Sequence, residues 1–135
     1  MQRERGKIFN RDRSKQSYDF TGLQFGTITP SDMDCFIEYQ NKAWVFVELK
    51  SNGVDVPFGQ LLALERLTDD LERAGKPTLM LFAYHTTPNV DDDIDVAQAL
   101  VYAQRVQGEW IEYPTAQKTV RFWVQQFLEH VETVK

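Results

Sequence analysis

The sequence predicts an α/β fold, in which helices flank a mixed β-sheet. Three observations predict it. Two strand-like segments, 33–39 and 43–50, are joined by a short polar turn, and an amphipathic helical pattern is followed by a buried apolar run at 78–84. Residues 115–134 again carry apolar side chains at helical spacing. Because strands and helices alternate along the chain, we expect the helices to cover the faces of the sheet.

The first predicted elements are a hairpin and a helix. Segments 33–39 and 43–50 are rich in aromatic and β-branched residues, and residues 40–42 supply the turn between them. The helix is predicted from apolar residues that recur every three or four positions, and Gly75 is placed to end it. This apolar stripe consists of Phe58, Leu61, Leu64, Leu67 and Leu71.

The second half of the chain adds strands and a C-terminal helix. Residues 78–84 follow Pro77 and are nearly all apolar, as in a strand that is buried on both faces. Segments 99–106 and 109–113 flank Gly108 and predict a second hairpin. The helix predicted at 115–134 would bury one face, made of Val120, Trp123, Val124, Phe127 and Val131. The secondary structure of residues 1–29 is ambiguous, and one interpretation is a short helix from about Ile8 to Phe20.

Length and composition bound the class of protein. A chain of 135 residues with 42% hydrophobic residues suits a single globular domain that spans residues 1–135. Its longest apolar runs are far shorter than the ~20 residues of a membrane helix, and its polar first residues do not resemble a signal peptide. We therefore expect a cytoplasmic protein with no membrane partner. Cys35 is the only cysteine, so an intrachain disulfide and a multi-cysteine zinc site are excluded, and a small buried residue is expected there.

The charge is distributed unevenly. The chain carries a net charge of −5, but its first 15 residues carry +4, which leaves −9 on the other 120. Such a basic arm could bind the phosphates of DNA locally, while a solvated terminus without a ligand is the alternative. The candidate nucleic-acid-binding residues of the arm are Arg3, Arg5, Lys7, Arg11, Arg13 and Lys15.

The first hairpin carries the chemistry. Residues two apart share a face of a strand, so Glu48 and Lys50 project together. If the turn has the three residues 40–42, the numbers of opposed residues add up to 82, and Asp34 lies across from Glu48 while Asp32 lies across from Lys50. A two-residue turn without a bulge would instead pair Asp34 with Leu49 and place the two carboxylates on opposite faces.

Two opposed carboxylates predict a cation. At a separation of ~5 Å they repel by about 3 kcal/mol at an effective dielectric near 20. Lys50 offsets part of this repulsion, and a divalent cation would offset more. Hard oxygen ligands suit Mg²⁺ or Mn²⁺, which lower the pKa of a water that they bind and so favour phosphodiester hydrolysis beside a lysine. The alternative is a ladder of solvated salt bridges on an exposed hairpin face.

These residues resemble a known family. Asp34, thirteen intervening residues, Glu48-Leu49-Lys50 and then a helix that carries Gln60 are similar to the PD-(D/E)XK nuclease superfamily, over residues 26–85. The resemblance implies a restriction-endonuclease-like core of a helix, three strands, a helix and a fourth strand. It also implies that Asp34, Glu48 and the Leu49 carbonyl bind Mg²⁺ or Mn²⁺, and that Lys50 contacts the attacking water or the scissile phosphate. Gln60 would reach the same site.

The sequence departs from the family pattern in two places. The proline of the signature should directly precede the acid, yet Pro30 is followed by Ser31 and Asp32, so Asp32 competes with Asp34 for the first ligand position. We prefer Asp34 because apolar strand residues follow it and because it faces Glu48. Many members also carry an acid in the first helix, for which the candidates are Glu4, Asp12 and Asp19.

Other candidate sites are weaker. The acidic residues of the loop at 91–95 lack the pattern of a calcium-binding EF-hand, and a solvated loop is expected. His85 could act as a base at the end of a strand, but a surface or capping role is expected, and His130 is expected to be exposed. The chain lacks the motifs of a Walker loop and of a dinucleotide-binding fingerprint.

The sequence therefore predicts a Mg²⁺- or Mn²⁺-dependent deoxyribonuclease of the PD-(D/E)XK type. We expect an endonuclease that acts on a junction or on a replication or recombination intermediate, as in phage nucleases, and that works as a homodimer, because cutting two strands requires two sites. Two alternatives stay open: a catalytically silent nuclease fold that binds nucleic acid or protein, and a structural or inhibitory protein whose charged hairpin face is an interface.

Overall fold

The fold is taken from a computed structural model that describes residues 19–51, 56, 58–88 and 92–134. The chain divides into two compact units, Met1–Ser31 and Asp32–Lys135. In the described part of the first unit, a 3-10 turn spans Thr21–Leu23 and a single β-bridge joins Phe25 to Ile28. The short helix predicted at 8–20 lies outside the described residues, apart from its last two positions, which are not helical.

The second unit contains a five-stranded sheet and two helices, which confirms the predicted α/β fold. The strands lie in the sheet in chain order, with β2 and β3 parallel and the other neighbours antiparallel. A 3-10 turn at Val96–Gln98 precedes the fourth strand. The elements are β1 Cys35–Tyr39, β2 Ala43–Ser51, α1 Phe58–Arg73, β3 Thr78–His85, β4 Leu100–Val106, β5 Glu109–Glu112 and α2 Val120–Thr133.

The two helices cover opposite faces of the sheet because side chains alternate along each strand. The face under α1, here called the α1 face, packs Phe46, Met80, Phe82 and Ala103 against Leu64. The α2 face packs the alternate strand residues against α2, and its buried members are Ala43, Val45, Val47, Leu79, Leu81, Ala83, Ala99, Val101, Val120, Phe127 and Val131. The sheet is therefore the middle layer of an α/β/α sandwich.

The turn between β1 and β2 combines two residues of positive φ with one additional residue. Gln40 and Asn41 both have positive φ angles, of 50° and 58°, and the Lys42 amide closes the turn on the Tyr39 carbonyl at 2.8 Å. Lys42 is then an additional residue, so that Tyr39 pairs with Ala43. The resulting register continues to Cys35 opposite Val47, in which the residue numbers add up to 82 as predicted.

The C-terminal helix begins later than the sequence predicts. Residues 115–119 were expected to be helical, but the helix starts at Val120, with Thr119 as its N-cap accepting a hydrogen bond from the Phe122 amide. Thr119 instead forms a β-bridge with Leu100, and the Val101 amide donates to the Lys118 carbonyl at 3.0 Å. These backbone bonds from Lys118 and Thr119 to the start of β4 keep the end of the segment out of the helix, which is a tertiary contact that helical spacing does not reveal.

The described strands before α1 number two, β1 and β2, whereas the resemblance implies three. The other predicted elements are present, with ends shifted by one or two residues. Gly75, at φ 88°, ends α1 as predicted: the Lys76 amide donates to the Leu71 carbonyl. Among the described residues, no helix is both long and apolar enough to span a membrane.

Candidate active site

The candidate site lies at the carboxyl end of β2, on the α1 face. Glu48 and Lys50 belong to β2, Asp34 directly precedes β1, and Gln60 lies in the first turn of α1. The last pair of the hairpin register is Cys35 with Val47, and Asp34 and Glu48 are the next residues beyond it. The Leu49 amide points towards β1 and donates to Asp34 Oδ2, and the charge of Asp34 acts on Glu48. The structure thus brings together the residues of the predicted constellation.

Glu48 is the buried member of the site, with 3% of its surface exposed. Its Oε1 accepts a hydrogen bond of 2.9 Å from Gln60 Nε2 and lies 3.6 Å from Lys50 Nζ. Burial and the negative charge of Asp34 raise the pKa of Glu48, against the lowering effect of Gln60 and Lys50. Its second oxygen, Oε2, is buried and has no hydrogen-bond partner among the described residues.

Asp34 is the exposed acid of the pair. Its Oδ2 accepts a hydrogen bond of 2.7 Å from the Leu49 amide. The β1 ladder ends at Cys35, so this carboxylate occupies the place where a further β1 carbonyl would bind the same amide. Asp34 therefore has a structural role at the end of the strand, independent of any ligand. The Leu49 side chain packs towards the α2 face.

Gln60 connects the two elements that flank the site. Its Nε2 donates to Glu48 and also to the Asp32 carbonyl, at 3.2 Å. Gln60 thereby fixes the Glu48 carboxylate and ties the approach to β1 against α1. Of the two competing acids, Asp34 contacts β2 through its side chain, whereas Asp32 contacts Gln60 through its backbone.

Lys50 is the single cation recorded within salt-bridge distance of Glu48 among the described residues. Its side chain is 22% exposed, so its ammonium group lies between the buried carboxylate and the solvent. A phosphate placed at the mouth of the site would meet this charge first.

The donor set fits a small hard cation. Two carboxylates offer oxygen ligands, one on β2 and one just before β1, and the unpartnered Glu48 Oε2 is a buried acceptor that a cation would satisfy. Within the described residues, no cluster of three or more His, Cys, Asp or Glu side chains could hold a metal. A cation here would therefore keep water or substrate oxygens in its remaining positions, as Mg²⁺ commonly does.

The other candidates lie elsewhere. His85 pairs with Ser51 but alternates onto the α2 side, away from Glu48, and its buried Nδ1 has no partner in the described part of the chain. His130 is exposed in the last turn of α2, as expected, and Cys35 is half-buried at the α2 face.

The remaining acidic candidates are those of the first unit and of the loop at 91–95. Asp19 accepts a hydrogen bond from the Thr21 amide, and Asp92, Asp93 and Asp95 are exposed. The basic arm, Glu4, Asp12 and Asp91 lie outside the described residues.

The sequence analysis missed one neighbour of the site. Tyr84 pairs with Lys50 in the parallel register of β2 and β3, and its ring stacks on that of Tyr102. Strands joined through a crossover helix run parallel, so their carboxyl ends meet, and this rule was the signal that could have found Tyr84.

No protein-family model matches the chain, and neither a curated protein nor a solved structure shows significant similarity to it. Inferences about its function therefore rest on the residues and on their geometry.

Proposed function

We propose that this protein is a Mg²⁺- or Mn²⁺-dependent nuclease that hydrolyses phosphodiester bonds in DNA, of the PD-(D/E)XK type. The observation that supports it most is the hairpin register, which sets Asp34 across from the buried Glu48 with Lys50 and Gln60 in reach of the same carboxylate. A salt-bridge ladder in solvent would not bury one acid and leave one of its oxygens without a partner.

In this proposal each residue has its own task. Asp34 and Glu48 hold the cation, with the Leu49 carbonyl as a further ligand, and Gln60 keeps the Glu48 carboxylate oriented. Lys50 steadies the charge that develops on the phosphate or orients the attacking water. A cation held by these residues would lower the pKa of a bound water and offset phosphate charge. The basic arm at 1–15 would add affinity for the DNA backbone. It would offset the repulsion between the DNA and the acidic remainder of the chain.

The proposal extends to an endonuclease of branched or partly unpaired DNA that acts as a homodimer in the cytoplasm. Cutting both strands of a junction requires two sites, which a two-fold dimer provides. Light scattering of the purified protein with and without a four-way junction measures the assembly.

The test is a cleavage assay with purified full-length protein. Linear duplex, single strand, plasmid and four-way junction are offered in parallel with Mg²⁺, Mn²⁺ or EDTA, beside the Glu48→Gln variant. We expect metal-dependent cleavage by the wild type and none by Glu48→Gln. Glu112→Gln is the matched control, because Glu112 is an exposed acid on β5 at the far edge of the sheet. Cleavage by Glu48→Gln at the wild-type rate rules the proposal out.

A catalytically silent binding module is the second candidate. It is favoured by one observation: the hydrogen bond from the Leu49 amide accounts for Asp34 without a metal. Calorimetry separates the two, because titration with Mn²⁺ gives heat only if the carboxylates bind the cation.

A further inference from the structure

Beside the candidate site, the α1 face carries an aromatic pair that the proposed chemistry does not use. Tyr84 lies on β3 directly next to Lys50 on β2, and Tyr102 lies on β4. The Tyr84 and Tyr102 rings are stacked, with their centroids 4.0 Å apart and their planes inclined by 15°. Since adjacent strands are separated by ~4.8 Å, the pair begins one strand away from the lysine.

A β-bulge builds this pair. Phe82 pairs with Ala103 and Ala83 pairs with Val101, so Tyr102 is the additional residue of β4. The bulge places two consecutive residues, Tyr102 and Ala103, at the α1 face, which regular alternation would not allow. Bulges next to active sites commonly redirect a side chain, and here the redirected side chain is the one that stacks on Tyr84.

Core packing does not account for Tyr84. In the described part of the chain, Tyr84 packs against neither hydrophobic cluster, and the ring of Tyr102 is its recorded aromatic neighbour. Both rings are partly exposed. Tyr84 is therefore a partly exposed tyrosine near the end of β3, directly beside Lys50 on the neighbouring strand.

We propose that Tyr84 and Tyr102 form a stacking subsite for an unpaired nucleobase of the substrate, next to the phosphate at Lys50. This inference rests on the proposed nuclease function. Aromatic rings stack on bases only when the base has left its own stack, so the subsite selects single-stranded DNA, flaps or overhangs over continuous duplex. The charge agrees: the −9 carried by residues 16–135 repels a single strand less than a duplex.

The test measures binding rather than cleavage, with full-length protein in EDTA. The probe is a fluorescent single-stranded octanucleotide, compared with a series in which one base at a time is replaced by an abasic site. We expect Tyr84→Leu to weaken binding of the intact probe by about 5- to 100-fold, as the loss of one stacked base does. It should have little effect on the probe whose abasic site falls at the subsite. Tyr84→Phe, which keeps the ring, should bind like the wild type.

Crosslinking gives a second measurement that does not depend on a variant. A 5-iodouracil placed at the same position should, on irradiation, attach to the peptide that contains Tyr84 or Tyr102. Equal weakening of intact and abasic probes by Tyr84→Leu, crosslinks elsewhere only, or no binding of single strands overturns the subsite. Circular dichroism shows whether a loss of affinity reflects misfolding, and Tyr102→Leu should weaken binding of the intact probe as Tyr84→Leu does.

The two proposals fail separately. Metal-dependent cleavage with no effect of Tyr84→Leu removes the subsite and leaves the nuclease. Binding that depends on Tyr84 without any cleavage by the wild type supports the subsite and removes the nuclease.

Discussion

The Asp34 carboxylate accepts a hydrogen bond of 2.7 Å from the backbone amide of Leu49. Asp34 lies one residue beyond the end of the β1 ladder, which stops at Cys35. The hydrogen bond fixes the side chain of an exposed acid at the Leu49 amide, next to the buried Glu48 along β2. The structural role and the proposed metal-binding role of Asp34 therefore use the same side chain, and variants must separate them.

Asp34→Asn and Asp34→Ala separate these roles. Asparagine keeps an oxygen for the Leu49 amide but removes the charge, so we expect near-wild-type stability and cleavage lowered by at least about 100-fold. Alanine removes both, and we expect a further loss of about 1 kcal/mol in the free energy of unfolding. Urea denaturation and initial cleavage rates measure the two effects. If Asp34→Asn cleaves DNA normally, the role of Asp34 is structural alone.

Because the pKa of Glu48 is raised, we expect the free energy of unfolding of the metal-free protein to depend on pH. Because the folded-state pKa exceeds the unfolded one, folding holds the proton more tightly, and stability falls as the pH rises from about 4.3, the usual pKa of glutamate, through the raised value. Glu48→Gln does not titrate. In EDTA we therefore expect its urea midpoint to exceed that of the wild type by a margin that grows with pH over this window and then levels off.

A divalent cation should reverse this order of stability, so that the wild type becomes more stable than Glu48→Gln. If Mg²⁺ or Mn²⁺ binds the folded wild type through Glu48, as we propose, the cation should raise the melting temperature of the wild type and not that of Glu48→Gln. Glu112→Gln should respond like the wild type. An equal response of all three proteins would place the cation elsewhere.

Gln60→Leu should weaken the site without removing a ligand. The variant loses the hydrogen bond that orients Glu48 and the one that holds the Asp32 carbonyl. We expect Mn²⁺ affinity or cleavage to fall by about 10- to 100-fold, as is typical when a residue that supports a ligand is lost. Gln60→Glu places a second carboxylate beside Glu48, and we expect the pH optimum for cleavage to shift upward. A Gln60→Leu variant with wild-type metal affinity would show that Glu48 is held by its burial alone.

Lys50→Met should separate catalysis from metal binding. The ammonium group lies 3.6 Å from Glu48 Oε1, where it repels a cation but stabilises a phosphate. We expect kcat to fall by about 100- to 1000-fold, with Mn²⁺ affinity at pH 8 no weaker than in the wild type. Lys118→Met removes an exposed lysine from another part of the chain and serves as the control. A loss of Mn²⁺ affinity that accounts for the whole loss of cleavage would contradict the assignment.

Local patterns sufficed to predict most of the fold. The apolar stripe from Phe58 to Leu71 and the run at 78–84 gave a helix and a strand at nearly their observed positions, because each reports its own periodicity. The non-helical conformation of segment 115–119 was missed because it depends on backbone bonds between the end of this segment and β4. The bulge at Tyr102 was missed for the same reason: a ladder irregularity is a property of two strands.

The site depended on a single register. Its acids and lysine could be placed together from strand alternation, but the contacts of Gln60 and the pairing of Tyr84 with Lys50 needed the crossover of α1. The turn is the local feature that sets the register, and its sequence left two registers open. A two-residue turn at Gln40 and Asn41 would by itself pair Tyr39 with Lys42, but Lys42 is an additional residue, and Tyr39 pairs with Ala43 instead.

A one-residue shift of this register should therefore disable the site while every site residue is retained. Deletion of Ala43 leaves the turn at 40–42 in place but moves β1 by one residue along β2, so that Asp34 opposes Leu49. We expect cleavage to fall at least as far as in Asp34→Asn, with a loss of stability because β1 side chains change faces. The matched control is deletion of Lys42 together with Gln40→Asn and Asn41→Gly, which also shortens the chain by one residue but keeps Tyr39 opposite Ala43 across a two-residue turn, and it should keep activity. Full activity in the variant that lacks Ala43 would show that the opposition of Asp34 and Glu48 does not determine catalysis.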